Sequence, residues 1–240
     1  MNFLRSLAFN VAFYLWTTII LLACLPLLLL PPRAIVKAHE IWTDGVILAL
    51  RIAGIRVEFR GFDRLPEAPY ILASKHQSAL DTLIFHKMVD NPAAVLKREL
   101  TWIPLYGWYV RRVGTIEIDR KGRDKAIRHM FRKATRLRDA GRVFLIFPEG
   151  TRTAPGVRKP YLPGVAGLYR QLRIPVVPVA LNSGCFWPRR TFRRFPGTVV
   201  IEALPAIEPG LDRKAFMDRL STDIETASDR LLDEARASKR

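Results

Sequence analysis

From residue 55 onward, short apolar runs rich in β-branched side chains alternate with stretches whose apolar residues recur every three or four positions. Residues 55–59, 70–73, 93–96, 115–118, 143–147, 176–181 and 199–202 read as strands. Ile127, Met130, Phe131, Ala134 and Leu137 share one helical face, and Phe216, Leu220, Ile224, Ala227, Leu231 and Ala235 share another. Strands and helices in alternation predict an α/β fold with a mixed, largely parallel sheet flanked by helices. Pro178 inside its strand predicts a sheet edge or a bulge near a ligand, since proline has no N–H for the ladder.

The first 54 residues follow a different pattern. Residues 7–30 contain no charged side chain, and a helix of that length rises about 36 Å, enough to cover a hydrocarbon core of about 30 Å. A cleaved signal peptide would have a shorter apolar stretch followed by a small-x-small site, whereas here leucines continue into Pro31-Pro32. Pro26 is expected to kink or end the helix. Next, Ile35, Ala38, Ile41, Trp42, Gly45, Leu48, Ala49 and Ile52 recur at helical steps, giving an amphipathic helix whose apolar face meets a membrane interface or the folded core. The membrane segment just before it favours the interface. The chain therefore divides into a membrane-docking helical segment, 1–54, and a domain-sized remainder, 55–240, expected on the cytoplasmic side of the membrane.

The 240 residues carry 39 Lys and Arg against 22 Asp and Glu, a formal net charge of +17. That charge predicts an anionic partner. Basic residues concentrate in 111–142, with twelve Lys or Arg against four acids. Phe131 is the lone aromatic well inside that run and belongs to a helix's apolar face, so nucleic acid is disfavoured and anionic membrane lipid is the simpler partner. Two cysteines and four scattered histidines argue against a disulfide framework or a zinc site.

Candidate chemistry gathers at strand ends. Lys75-His76-Gln77-Ser78-Ala79-Leu80-Asp81 follows a strand and opens a helix. Five helical steps would set His76 and Asp81 about 140° apart, so they pair only if His76 sits in the turn ahead of the helix, with Ser78 as its cap. Taken alone, Ser78-x-x-Asp81 is a plain capping box. Phe147-Pro148-Glu149-Gly150-Thr151-Arg152 ends another strand and brings a carboxylate, a turn-forming glycine and a guanidinium whose fork suits phosphate oxygens. Lys97-Arg98-Glu99-Leu100 precedes Pro104, Gly107 and an aromatic stretch, Trp102, Tyr106, Trp108 and Tyr109, of the kind that settles at a membrane interface.

These four blocks, His-x4-Asp, Lys-x-Glu-Leu with its later Pro and Gly, Phe-Pro-Glu-Gly-Thr-Arg, and Val177-Pro178-Val179, resemble in order and spacing the glycerolipid acyltransferases of the 1-acyl-glycerol-3-phosphate acyltransferase type. The resemblance runs over about 55–204, with Lys75 where that family usually has Asn and Thr153 where it commonly has Ser. It implies a membrane-bound transfer of an acyl chain from a thioester to the sn-2 hydroxyl of 1-acyl-glycerol-3-phosphate (lysophosphatidic acid), giving phosphatidic acid. His76 would be the general base and Asp81 its orienting partner. Lys97, Glu149, Gly150, Thr151 and Arg152 would bind substrate, with Lys97 and Arg152 on the phosphate and Glu149 positioning either the glycerol hydroxyl or Arg152. The co-substrate would be acyl-CoA or an acyl carrier protein thioester, with no other cofactor and no metal. Related readings are another acceptor such as a lyso-ornithine lipid, a metal-dependent hydrolase using His76 and Asp81 as ligands, and a basic membrane scaffold. The hydrolase lacks further ligands at suitable spacing, and the scaffold leaves residues 147–152 unexplained.

Overall fold

The computed structural model describes residues 2–90, 92–118 and 123–238. Helix α1 (Asn2–Ala23) stops just before Pro26, and the chain continues as a short 3₁₀ turn, Leu25–Leu29, so the proline ends the helix. Helix α2 (Pro32–Leu50) begins with proline at its first turn, where the missing N–H is not needed. The strands follow as β1 (Ile55–Arg60), β2 (Ile71–Ser74), β3 (Ala93–Lys97), β4 (Ile116–Ile118), β5 (Phe144–Ile146), β6 (Val176–Leu181) and β7 (Gly197–Ala203). Between them lie α3 (Asp81–Ile84), α4 (Tyr106–Arg112), α5 (Arg123–Asp139) and α6 (Gly164–Leu172), and α7 (Arg213–Ala237) closes the domain.

The strands form one seven-stranded sheet in the order β1-β7-β6-β2-β5-β3-β4. All neighbours are parallel except β6 and β7. Alternating side chains divide the core into two layers, as the pleat requires. Leu72, Leu145, Val177 and Val179 pack with Phe9, Val46, Leu50 and Ile84 from α1, α2 and α3. On the other face Ile71, Ala73, Phe144, Ile146 and Val176 meet Met130 and Ala134 of α5, Leu168 of α6, and Phe216, Leu220 and Ile224 of α7. The predicted α7 face is buried in full, and the α5 face is buried at Met130 and Ala134, while the Ile127 side chain lies outside the described ones.

One expectation narrows to one of its alternatives and another changes. Pro178 is not on an edge, because β6 runs between β7 and β2. Val176 N–H points toward Ile207 O, so the nitrogen two residues on points the same way, into the gap between Ala203 and the Val176–Ile207 bridge. The register shifts by one residue there, a bulge that spares the sheet a broken hydrogen bond. Helix α2 buries a stripe offset from the expected one: Ile35, Ala38 and Ala49 are covered, joined by Val36, Thr43, Val46 and Leu50, while Ile41 and Leu48 face outward and Ile52, just past its end, is exposed as well. Helix α2 therefore packs on the core and also shows apolar side chains outside.

Helices α1 and α2 are joined closely. A Cβ on Gly45 would meet the Trp16 ring at 2.1 Å, so only glycine lets the indole lie across α2. Trp16 Nε1 donates to Trp42 O, and Trp42 Nε1 donates to Thr17 Oγ1, each at 3.0 Å. The outer side of α1 exposes Leu4, Val11, Leu15, Ile19 and Leu22. Near its end, the Tyr109 hydroxyl donates to Leu21 O and Arg112 donates to Leu30 O, placing α4 with exposed Trp102 and Trp108 beside the same apolar surface.

Candidate active site

Strands β2, β5 and β3 are adjacent and parallel, so their carboxyl ends reach one edge of the sheet, where α/β folds place their sites. After β2 the chain turns before α3, which puts His76 ahead of the helix. His76 Nδ1 lies 3.0 Å from Asp81 Oδ2. The same oxygen accepts the Gln77 and Ser78 N–H groups at 2.7 Å, so one half of the expected capping box forms. Ser78 Oγ accepts from Leu80 N–H at 3.2 Å. Asp81 Oδ1 accepts from Ser183 Oγ, contributed by the segment after β6.

Asp81 is fully buried and surrounded by donors, which makes it an acceptor toward the imidazole. The proton of neutral His76 therefore sits on Nδ1, and Nε2 keeps its lone pair. The ring plane is fixed from one side by Phe147, stacked with centroids 4.1 Å apart and an interplanar angle of 25°. The His76 side chain remains 12% exposed, enough for a substrate atom to reach it.

The loop after β5 turns at Gly150, whose φ of +63° suits glycine, and Gly150 N–H donates to Phe147 O. Thr153 N–H donates to His76 O at 2.7 Å, tying this loop to the turn that carries His76. Glu149 sits beneath it, with Oε2 accepting His76 N–H at 3.0 Å and Oε1 2.9 Å from Lys75 Nζ. Its carboxylate is thus engaged by the turn itself, and among the described residues it does not pair with Arg152. Lys75 Nζ also meets both Glu225 oxygens, at 2.7 and 2.9 Å.

Lys97 ends β3, two strands from β2, or about 10 Å at the usual spacing. Arg152 is half-buried, and its carbonyl accepts from Arg189 at 3.0 Å. Neither cationic side chain has a partner among the described residues, so both charges are available to an anion. Further on, Gly107 abuts Thr101 O, where a Cβ would come within 2.0 Å. Among the described residues no three His, Cys, Asp or Glu side chains converge as metal ligands.

Five participants escaped the sequence reading in whole or in part. Ser183, Glu225 and Tyr161 lie far along the chain from His76, and no local spacing announces them. Lys75 was visible as an unusual neighbour of His76, yet its burial depends on α7. Phe147 lay within a recognised block without an evident task.

A model of the acyltransferase family matches residues 56–182. The 1-acyl-sn-glycerol-3-phosphate acyltransferase of Pseudomonas aeruginosa is 35% identical over 167 residues, covering 70% of this chain and 63% of that protein. The chain thus spans a little under two thirds of that relative's length. The mouse 1-acyl-sn-glycerol-3-phosphate acyltransferase alpha is 32% identical over 204 residues, covering 83% and 71% respectively. Among solved structures, the 1-acyl-sn-glycerophosphate (LPA) acyltransferase PlsC from Thermotoga maritima superimposes with a TM-score of 0.80 over 96% of this chain and 98% of that one. Its identity of 22% makes this a likeness of fold.

Proposed function

Because the chain belongs to the acyltransferase family, we propose that it acylates the sn-2 hydroxyl of 1-acyl-glycerol-3-phosphate to give phosphatidic acid, using acyl-CoA or an acyl carrier protein thioester. The observation that carries this reading is His76, with Nδ1 committed to a buried Asp81 and Nε2 open at the sheet edge where two cations without partners among the described residues, Lys97 and Arg152, stand.

An alcohol is a weak nucleophile at neutral pH. Nε2 of His76 takes its proton as the oxygen attacks the thioester carbonyl, while Asp81 stabilises the imidazolium that forms. When the tetrahedral intermediate collapses, the C–S bond breaks and the departing thiolate takes the proton from His76. The thioester is already activated, so neither a protein nucleophile nor a cofactor beyond the co-substrate is required. Lys97 and Arg152 hold the acceptor phosphate, with Gly150 and Thr151 shaping the backbone around it.

The acceptor's acyl tail stays in a bilayer, so the site works at headgroup depth. The exposed apolar side of α1, the outward residues of α2 and Trp102 and Trp108 support docking of residues 1–54 and the α4 region on the cytoplasmic face of a bacterial inner membrane, aided by anionic lipid. Purified protein offered lysophosphatidic acid, a lyso-ornithine lipid and neutral lysolipids with both thioester donors tests the reading. Preference for lysophosphatidic acid is expected; transfer confined to another acceptor would refute it.

A further inference from the structure

The residue preceding His76 is a lysine, and its side chain is buried against two carboxylates. Lys75 Nζ bridges Glu149 of the loop after β5 and Glu225 of α7, and the Tyr161 hydroxyl adds a hydrogen bond to Glu225 Oε1 at 2.9 Å. Removing either kind of partner from such a group leaves an uncompensated charge in the interior. The remaining oxygen of Glu149 accepts the His76 N–H, and Thr153 N–H meets the His76 carbonyl. Both backbone polar groups of His76 are therefore fixed by one loop, and that loop is fixed to α7 through the Lys75 ammonium.

We infer that Lys75 is a positioning residue for acyl transfer, acting through Glu149 on the backbone of His76, and that Glu149 serves this chain as the acceptor of that N–H instead of a ligand for the lipid. This rests on the proposed role of His76 in acyl transfer. The imidazole approaches substrate only as well as its backbone is placed, and a displacement of about 1 Å can lower a rate about 10²-fold. Loss of the ammonium leaves Glu149 and Glu225 facing each other as like charges, which drives Glu149 away from the N–H it holds.

The test is a cycle of Lys75→Met, Glu149→Gln and the double variant, with kcat per folded molecule, both KM values and thermal melting recorded. Each single change is expected to lower kcat roughly 10- to 100-fold and to leave both KM values within about two-fold. In Glu149→Gln the amide NH₂ meets the Lys75 ammonium, donor against donor, if the amide oxygen keeps the His76 N–H. The double variant removes that conflict and should recover at least about five-fold over either single variant. If Lys75→Met does not fold, Glu225→Gln decides, since it keeps a hydrogen bond to Tyr161; it should lower kcat with unchanged KM values. A raised acceptor KM with intact kcat in Glu149→Gln would make Glu149 a lipid ligand and overturn the inference. A double variant no better than the poorer single variant, or an unchanged kcat in Glu225→Gln, would overturn it too. Wild-type protein inactive on every lysolipid would sink the acyl-transfer reading along with it, whereas active wild type with indifferent variants would sink this inference alone.

Discussion

Ser183 donates its hydroxyl to Asp81 Oδ1, joining the segment after β6 to the first residue of α3 across 102 positions of sequence. The bond supports the side of Asp81 away from His76. Together with two amides on Oδ2, it leaves the carboxylate a single orientation, the one that meets the imidazole.

A graded loss is expected along this line of contacts. His76→Ala should reduce acyl transfer by about 10² to 10⁴-fold while lysolipid binding persists, and Asp81→Asn should come close to it. Ser183→Ala leaves a buried acceptor short of one donor, worth about 1 to 3 kcal/mol, and should reduce activity least. Initial rates alongside equilibrium lysolipid binding check this; His76→Ala turnover above about a tenth of wild type would remove His76 as the base.

Arg152→Lys keeps the charge and loses the fork, and Lys97→Ala removes a charge outright. Each should weaken lysophosphatidic acid binding roughly 10- to 150-fold, the equivalent of about 1.5 to 3 kcal/mol for a charge-assisted contact. Titrations of the two variants with lysophosphatidic acid and with an uncharged lysolipid decide the matter. Unaltered affinity for the charged lipid in both would take the phosphate away from these residues.

Val11 and Leu15 lie on the exposed side of α1, apart from the core. Val11→Asp/Leu15→Asp should leave the melting temperature nearly unchanged and strip the protein from vesicles in 1 M salt, where screening over about 3 Å leaves mainly apolar attachment. Sedimentation with vesicles measures it. Retention of the variant under that wash would shift attention to Trp102 and Trp108.

His39 and His86 sit ring to ring with centroids 3.8 Å apart, and burial lowers their pKa values to about 4 and about 3, with Arg142 and the neighbouring histidine pushing His86 further and Glu40 opposing at His39. Both are neutral in the fold and take up protons in the unfolded chain near pH 6.5, so their contribution is present above that pH and is lost as pH falls toward about 4 and about 3. Each steepens the decline by up to about 1.4 kcal/mol per pH unit. Urea midpoints at several pH values should fall more gently for His39→Gln/His86→Gln than for wild type. Parallel slopes would contradict the burial argument.

Strand and helix positions were legible because the pleat and the helical repeat stamp their periods on local sequence, as α7 shows residue by residue. Pro178 was harder to place, since its tolerance depends on the path of residues 203–207, which no pattern near 178 reveals. Helix α2 misled by carrying apolar side chains on two flanks; periodicity cannot say which of two apolar stripes meets the core. His76 and Asp81 were readable from the turn that separates them. The surroundings of Lys75 were not, because burial of a lysine depends on a carboxylate 150 residues away.

Strand β1 lies at the edge of the sheet, and among the described residues its one strand partner is β7, which ends at Ala203. On a ribosome adding about 5 to 20 residues per second, β1 is made roughly 7 to 30 seconds before the strand that covers it is complete. During that interval its N–H and C=O groups are open to any other extended chain. Helices α1 and α2 are finished by then and carry their exposed apolar side chains. A nascent chain can therefore reach a bilayer before its sheet exists, and early attachment to lipid would keep neighbouring unfinished copies from zipping together along that open strand.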